Sequence, residues 1–407
     1  MTSATCSLTT LAADITRARQ ETDRLFEILR PDAIYQRPIR ERHRLIFYLG
    51  HLEAFDWNQV CRAGLGLPSF HPDFDRLFEF GIDPEVGCEP SDLPADWPSV
   101  PEILDYNRRI RETFDRHAMD APEELLHVAL EHRLMHAETL AYLLHRVPFS
   151  DKRGPAPAVG SQQTPENPLL VIPPGVATLG LRSGSTFGWD NEFEEHRVDV
   201  APFRISRFMI TNGEYLEFVK QGGEPSAFWT QQHDGSWNQV CMFDEVPLPL
   251  DWPVWVTKDQ AAAYAASRGL SLPTEKQFQR AAYGTTHGVE RQYPWGDQEP
   301  DPSRGNFDFQ SWDPAPVTAF PAGDSDFGIA QALGNGWEWT ATPFAPFAGF
   351  HPIPSYPGYS ANFFDGDHFV MKSGSPRTAA RLLRRSFRNW FRPDYPHVYA
   401  GFRVVEN

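Results

Sequence analysis

The sequence predicts an α+β protein in two parts, a four-helix bundle followed by a loop-rich α+β domain with limited regular structure. Three observations predict this. Apolar residues recur at i, i+3, i+4 and i+7 through four segments that end near Val147, the pattern of helices with one buried face. Residues 151–167 (DKRGPAPAVGSQQTPEN) are polar, rich in Pro and Gly and aperiodic, as a linker is. Most of the excess among the 12 Trp, 12 Tyr, 30 Phe and 37 Pro lies beyond them, which suits irregular backbone held by large side chains.

The predicted helices are LAADITRARQETDRLFEIL (11–29), HRLIFYLGHLEAFDWNQVCRAG (43–64), VPEILDYNRRIRETFDRH (100–117) and PEELLHVALEHRLMHAETLAYLLHRV (122–147). Four helices with one long connection suggest a bundle over residues 1–150. That connection, roughly 66–99, is rich in Pro, Asp and Phe and reads as an ordered excursion over the surface. After the 151–167 linker, 168–407 forms the second domain. It opens with short β-like stretches (LLVIPPGVATLG, HRVDVAPFRISRFMI) and two helices (TNGEYLEFVKQGG, TKDQAAAYAASRGL), then a long run of loops punctuated by Trp and Gly. No internal repeat of 20–50 residues is visible.

Composition narrows the function. A net charge of −17 disfavours nucleic acid as a partner, because phosphate neutralisation needs clustered Lys and Arg. No apolar run approaches the roughly 18–20 residues that a membrane-spanning helix needs. The N-terminus has no basic head before an apolar block, so no export signal is expected. Cys6, Cys61, Cys88 and Cys241 lack CxxC spacing, which argues against a disulfide scaffold or a thiolate metal site and fits a cytoplasmic protein.

The most informative local feature is His132-Arg-Leu-Met-His136 inside a strong helical pattern. Residues four apart share a helix face, so both imidazoles can reach one ion. Arg133 follows His132, so the general-base Glu of the HExxH proteases is missing. Such pairs also occur on ordinary surfaces and in cores, especially among 14 His. His51, in FYLGHLEAF, adds to the pattern. A buried imidazole must be hydrogen-bonded or ligated, and a satisfied core histidine is the ordinary alternative. Three inward His on two helices leave coordination positions open for substrate and O₂, and imidazole suits iron, copper or zinc alike.

GHLxxF, HxxxHAE and then TNGEY, LPTEKQFQRAA, YPWGD, GNGWEWT, PGYS and FRNW together resemble the ergothioneine-type sulfoxide synthases, from about residue 40 to Arg403. The resemblance implies a DinB-like bundle joined to a C-type-lectin, formylglycine-generating-enzyme-like α+β domain. It also implies Fe(2+) held by His51, His132 and His136. Formylglycine-generating enzymes use a C-terminal cysteine pair, and no Cys follows Cys241, so the second half reuses their fold without their activity. Tyr356 matches the family's active-site tyrosine, and Tyr359 a second one lining the trimethylammonium pocket. Asn389 and Trp390 match residues that hold hercynine, the trimethylated histidine. Aromatic rings suit a quaternary ammonium, which has no proton to donate. From the residues alone, these aromatics would pass for core packing. Arg108 and Arg111, one turn apart, match a pair gripping the carboxylates of a thiol donor, and a solvated charged helix face is the other reading.

Three departures bear on the branch. Where the glutamylcysteine-using enzymes read Asn-Trp-Asp, this chain reads Asn389-Trp390-Phe391; where they carry Gln before the second helix histidine, it has Met135; and the first histidine lies in IFYLGHLEAFDWN instead of a WHLAHT-like form. ERHRLIFYLGHLEAFDWN, FHPDFDRLFEFGIDP and EHRLMHAETLAYLLH most resemble the selenoneine synthase branch, which couples hercynine to a selenosugar. The expected partners are therefore hercynine, a selenosugar or a thiol donor, and O₂. Cysteine-using and ovothiol-type enzymes stay open, the latter usually carrying an added methyltransferase domain. A thiol transferase on a DinB-like bundle and a non-catalytic binding module are the readings from other classes.

Overall fold

The computed structural model describes residues 2–81 and 90–407; residues 82–89, Cys88 and part of the predicted excursion among them, lie outside. The chain divides into two compact units, Met1–Pro155 and Ala156–Asn407.

The first unit is helical. It contains α1 (Thr2–Glu27), α2 (Leu45–Asp56), α3 (Pro72–Phe80), α4 (Val100–His117) and α5 (Glu123–His145). The four predicted helices are present, but α2 changes to a π-helix over Trp57–Gly64. The connection expected as a surface excursion contributes a fifth helix, α3, which packs on α2. Its Asp73 and Asp75 complement the helix N-terminus, while a nine-residue length hides the 3.6-residue period. α4 starts where Pro101 can occupy the first turn, and the Glu102 carboxylate accepts the Ser99 backbone N–H at 2.9 Å. α5 is buried on nearly every face, so it is the central helix, with α1 and α2 packed against it. The Lys152 ammonium closes its C-terminus by donating to the carbonyls of Leu144 (2.8 Å) and His145 (3.0 Å).

The second unit begins with β1 (Leu169–Ile172), β2 (Gly175–Leu179), β3 (His196–Val200) and β4 (Phe203–Ser206). Next come α6 (Asn212–Lys220), β5 (Trp229–Gln231), β6 (Trp237–Val240), β7 (Glu245–Pro247), α7 (Lys258–Ser267) and α8 (Glu275–Tyr283). The last strands are β8 (Gly336–Pro343), β9 (Phe369–Gly374), β10 (Asn389–Phe391), β11 (Ala400–Gly401) and β12 (Val405–Glu406). All three helices start on a threonine cap, Thr211, Thr257 or Thr274, completed by Glu214, Gln260 or Gln277 three residues on.

The tract expected as loops after the second helix thus holds α8 and the largest sheet. Their strands are too short and too broken by turns to show a period. The sheet order is β10-β9-β8-β11, with β8, β9 and β10 antiparallel and β11 parallel to β8. Smaller sheets have the orders β1-β4-β12, β2-β3 and β5-β6-β7. Phe278, Ala281 and Ala282 of α8 bury one helix face in a core with Ile172, Phe203 and Ile205. β10 reaches the site described next by pairing Asn389 with Met371 and Trp390 with Val370.

Candidate metal centre and aromatic site

α2 supplies His51, and successive turns of α5 supply His132 and His136. The three offer ligand nitrogens that all lie within 4.8 Å of one another. Their ring centroids are 5.2 Å (His51–His132), 4.9 Å (His51–His136) and 4.4 Å (His132–His136) apart.

Apolar neighbours hold these rings. The Phe55 ring stacks on His132 at 3.4 Å, and Phe47 on His51 at 4.7 Å. His51 Nδ1 lies 2.7 Å from the Phe78 carbonyl oxygen. A carbonyl only accepts, so Nδ1 carries the proton and Nε2 keeps its lone pair for an ion. Burial pushes the His51 pKa down to about 4, reinforced by His43 and Arg133 nearby. Burial also holds His132 and His136 well below the usual imidazole range, with the neighbouring histidines adding to it. All three are therefore neutral at pH 7, the form that ligates. The Nδ1 of His136 is buried and has no hydrogen-bond partner among the described residues. Three neutral, converging imidazoles of this kind fit a divalent transition metal.

Behind the triad lies a buried ionic cluster that the sequence reading missed. The Arg133 guanidinium donates to Glu53 Oε1 (3.0 Å), Asp56 Oδ2 (2.7 Å) and the Leu52 carbonyl (2.9 Å), tying α5 to α2 beside His51 and His132. Although burial raises it, the Glu53 carboxyl is brought down to about 2 by Arg133, Arg19 and Arg111. For Asp56, burial prevails over Arg133 and Arg19 and the pKa is raised. Charged residues every three or four positions in an otherwise apolar helix were the available signal.

Of the two arginines expected to grip a donor, Arg108 is exposed and paired with Asp105 (2.6 Å) and Glu112 (2.8 Å). Arg111 faces inward and is forked by Asp23 Oδ1 and Oδ2 (2.7 and 2.8 Å) and by Glu53 Oε1 (2.7 Å). Both line a cavity of about 690 Å³ between α1, α2 and α4. Met135 sits on α5 between His132 and His136, half-buried.

The second unit gathers the other expected residues. Tyr356 and Tyr359 have ring centroids 5.9 Å apart, and Tyr359 meets Trp390 edge-on at 5.4 Å. Trp390 stacks on Phe344 at 4.2 Å, and Phe363 lies 5.6 Å away. Asn389 accepts the Trp390 backbone N–H through Oδ1 at 2.9 Å, and Phe391 stacks on Tyr395 at 5.2 Å. Burial raises the Tyr356 phenol above its ordinary value, so it stays protonated at neutral pH. Trp189, fully buried and stacked on Tyr359 at 4.0 Å, was not foreseen.

The protein thus combines a helical unit carrying a three-imidazole cluster able to hold a metal ion with an aromatic-rich α+β unit. Residues 155–407 match the Sulfatase-modifying factor enzyme 1-like domain, FGE-sulfatase. The chain is 32% identical to the hercynine oxygenase of Mycolicibacterium smegmatis over 435 residues, covering 97% of this chain and 98% of that one. It is 30% identical to Ergothioneine biosynthesis protein 1 of Neurospora crassa over 491 residues, 94% of this chain but 56% of that one, so it spans about half the fungal protein's length. With the hercynine oxygenase of Mycobacterium tuberculosis it shares 39% identity over 235 residues, 53% of this chain and 55% of the relative. The chain belongs to the ergothioneine-type sulfoxide synthase family. Among the described residues no helix is long and apolar enough to cross a membrane.

Proposed function

We propose that the protein is an iron(II)- and O₂-dependent enzyme that joins a sulfur or selenium donor to imidazole C2 of hercynine. The observation that carries this reading is the convergence of His51, His132 and His136 as neutral imidazoles within 4.8 Å. Relatives named hercynine oxygenases support oxygen chemistry, which favours a redox metal over zinc. When bound to the triad, iron(II) supplies the redox chemistry that makes O₂ reactive and the Lewis acidity that favours an anionic donor.

The chain's own residues do the rest. His51 offers Nε2 because the Phe78 carbonyl fixes its tautomer. The Trp390 and Tyr359 rings suit a trimethylammonium group through cation–π attraction. Burial keeps the Tyr356 phenol protonated at neutral pH, so it would serve as a proton donor that is replenished by the hydrogens released from C2 and the chalcogen. In the overall balance, the imidazole C2–H and the donor S–H or Se–H are lost and a carbon–chalcogen bond forms. One oxygen atom leaves as water with those two hydrogens, and the other becomes the sulfoxide or selenoxide oxygen.

The ergothioneine-pathway reaction with an amino-acid thiol is the reading the relatives' names support. A selenosugar donor is favoured by a separate observation. Arg108 and Arg111 are already committed to four acidic side chains, which leaves them little charge to offer the carboxylates of such a thiol. A neutral sugar needs none.

The test is anaerobic reconstitution with iron(II), then aerobic assay of hercynine with selenoglucose, thioglucose, cysteine and glutamylcysteine, read by mass spectrometry. Coupling with an amino-acid thiol alone removes the selenosugar. Failure to consume O₂ with every donor overturns the reading.

A further inference from the structure

Four consecutive residues of the second unit, Trp189 to Glu192, are buried to 3% exposure or less, although beyond one 3-10 turn they form no regular structure. Two are acids, and burying a carboxylate in irregular backbone is unfavourable unless its partners are specific. Outside the turn itself, the two carboxylates' partners among the described residues fall on two segments, one carrying Tyr356 and Tyr359, the other leading into Asn389 and Trp390.

Toward the first segment, Trp189 stacks on the Tyr359 ring at 4.0 Å, and the Asp190 carboxylate accepts the Ser360 hydroxyl. The Ile353 backbone N–H helps hold the Asp190 carboxyl down against burial, and the Ile353 carbonyl accepts the Tyr356 N–H at 3.1 Å. Toward the second, Glu192 Oε2 accepts from Arg384 Nε (2.8 Å) and from the Ser386 hydroxyl (2.7 Å). The Asn191 carbonyl accepts from Arg388 Nη1 at 3.1 Å, one residue before Asn389. That guanidinium also lies over Phe344 at 5.1 Å, the ring on which Trp390 stacks. The turn fixes itself as well, the Trp189 N–H donating to Glu192 Oε1 at 2.8 Å.

We propose that the turn Trp189–Glu192 is a positioning element that sets the spacing between the Tyr356–Tyr359 loop and the Asn389–Trp390 strand, and through it the fit of a trimethylammonium betaine. None of its four side chains needs to touch the ligand. This rests on the hercynine-binding reading for its ligand, whereas the tie between turn and segments is independent of that reading.

The experiment compares wild type with Asp190→Ala, Ser360→Ala, the double variant and Asp190→Asn, using the full chain. Amide hydrogen exchange is followed by segment, and hercynine dissociation by calorimetry on the metal-free protein. The expected result is exchange at least about tenfold faster in 353–360 alone, with hercynine affinity about tenfold weaker in both single alanine variants. The double variant should be no worse than either single one, and Asp190→Asn, whose amide oxygen can still accept from Ser360, should recover most of the loss. Unchanged local exchange, or faster exchange spread over the whole unit, overturns the proposal. So does local loosening with unaltered affinity in a wild type that binds. If wild type binds no hercynine, the functional reading falls, and the exchange data alone decide whether the turn positions the two segments.

Discussion

Replacing Arg133 by methionine keeps the side chain's length and removes its charge from the place where α2 and α5 are tied together. The guanidinium is 1% exposed, and it faces Glu53 at 1% and Asp56 at 0%. Without it, Arg19 stands 3.8 Å from both carboxylates and Arg111 still serves Glu53, but Asp56 loses its 2.7 Å partner and the Leu52 carbonyl its donor. Removing one member of a buried ion pair costs about 3–5 kcal/mol, roughly 6–20 °C in the unfolding transition of a unit this size.

The loss should depend on pH through Asp56, whose folded pKa is already raised. Between its unfolded value and that raised value, the folded state binds a proton that the unfolded state lacks. Stability therefore falls as pH rises through this window and recovers as pH is lowered into it. The variant's deficit should accordingly be smaller near pH 5 than near pH 8. Because Leu52 and Arg133 flank His51 and His132 in sequence, metal affinity should also weaken, by about 10- to 100-fold as for other residues that orient ligands. Calorimetric unfolding at both pH values and metal titration measure the effects. A deficit under about 1 kcal/mol, or one independent of pH, would refute the reasoning.

Other outcomes follow from the same geometry. His51→Ala should leave less than about a tenth of the wild-type iron after anaerobic loading, measured by elemental analysis, while α-helical circular dichroism persists. Tyr356→Phe should bind hercynine as wild type does but shift turnover from coupling toward donor oxidation, seen by mass spectrometry. Trp390→Ala loses one cation–π face, about 0.5–2 kcal/mol, so hercynine dissociation by calorimetry should weaken about 2- to 30-fold. Gly50→Ala would bring a Cβ to 2.4 Å from the Phe78 ring, displacing the residue whose carbonyl orients His51. It should lose about 1–3 kcal/mol of stability in denaturant unfolding and also bind metal more weakly.

Much of the bundle and its triad was legible because a helix writes itself at long range. Eighteen to twenty-six residues of period carry α1, α4 and α5, and His132 and His136 declare a shared face by spacing alone. His51 was readable as a polar interruption of an apolar face, but its orientation depends on the carbonyl of Phe78, and a backbone acceptor leaves no trace in residue identity. Short α3 and α8, nine residues each like the legible α6, escaped because two turns did not stand out from the Pro-, Gly- and aromatic-rich tracts around them. The sheet of the second unit escaped for a similar reason, since three-residue β10 cannot display alternation. Arg108 and Arg111 were paired through the family resemblance, with a solvated charged helix face as the other reading. Three residues apart on a helix still leaves one side chain in solvent and turns the other inward, and burial rather than spacing separates them.

β10 forms the margin of its sheet, joined to β9 on one side only. A residue there answers to one row of hydrogen bonds and to whatever lies over its ring, while β8 and β9 carry the interior. Exchanging Phe391 or Asn389 therefore disturbs one row of pairing and leaves the strands that keep the unit folded in place, so this strip tolerates change where the interior strands do not.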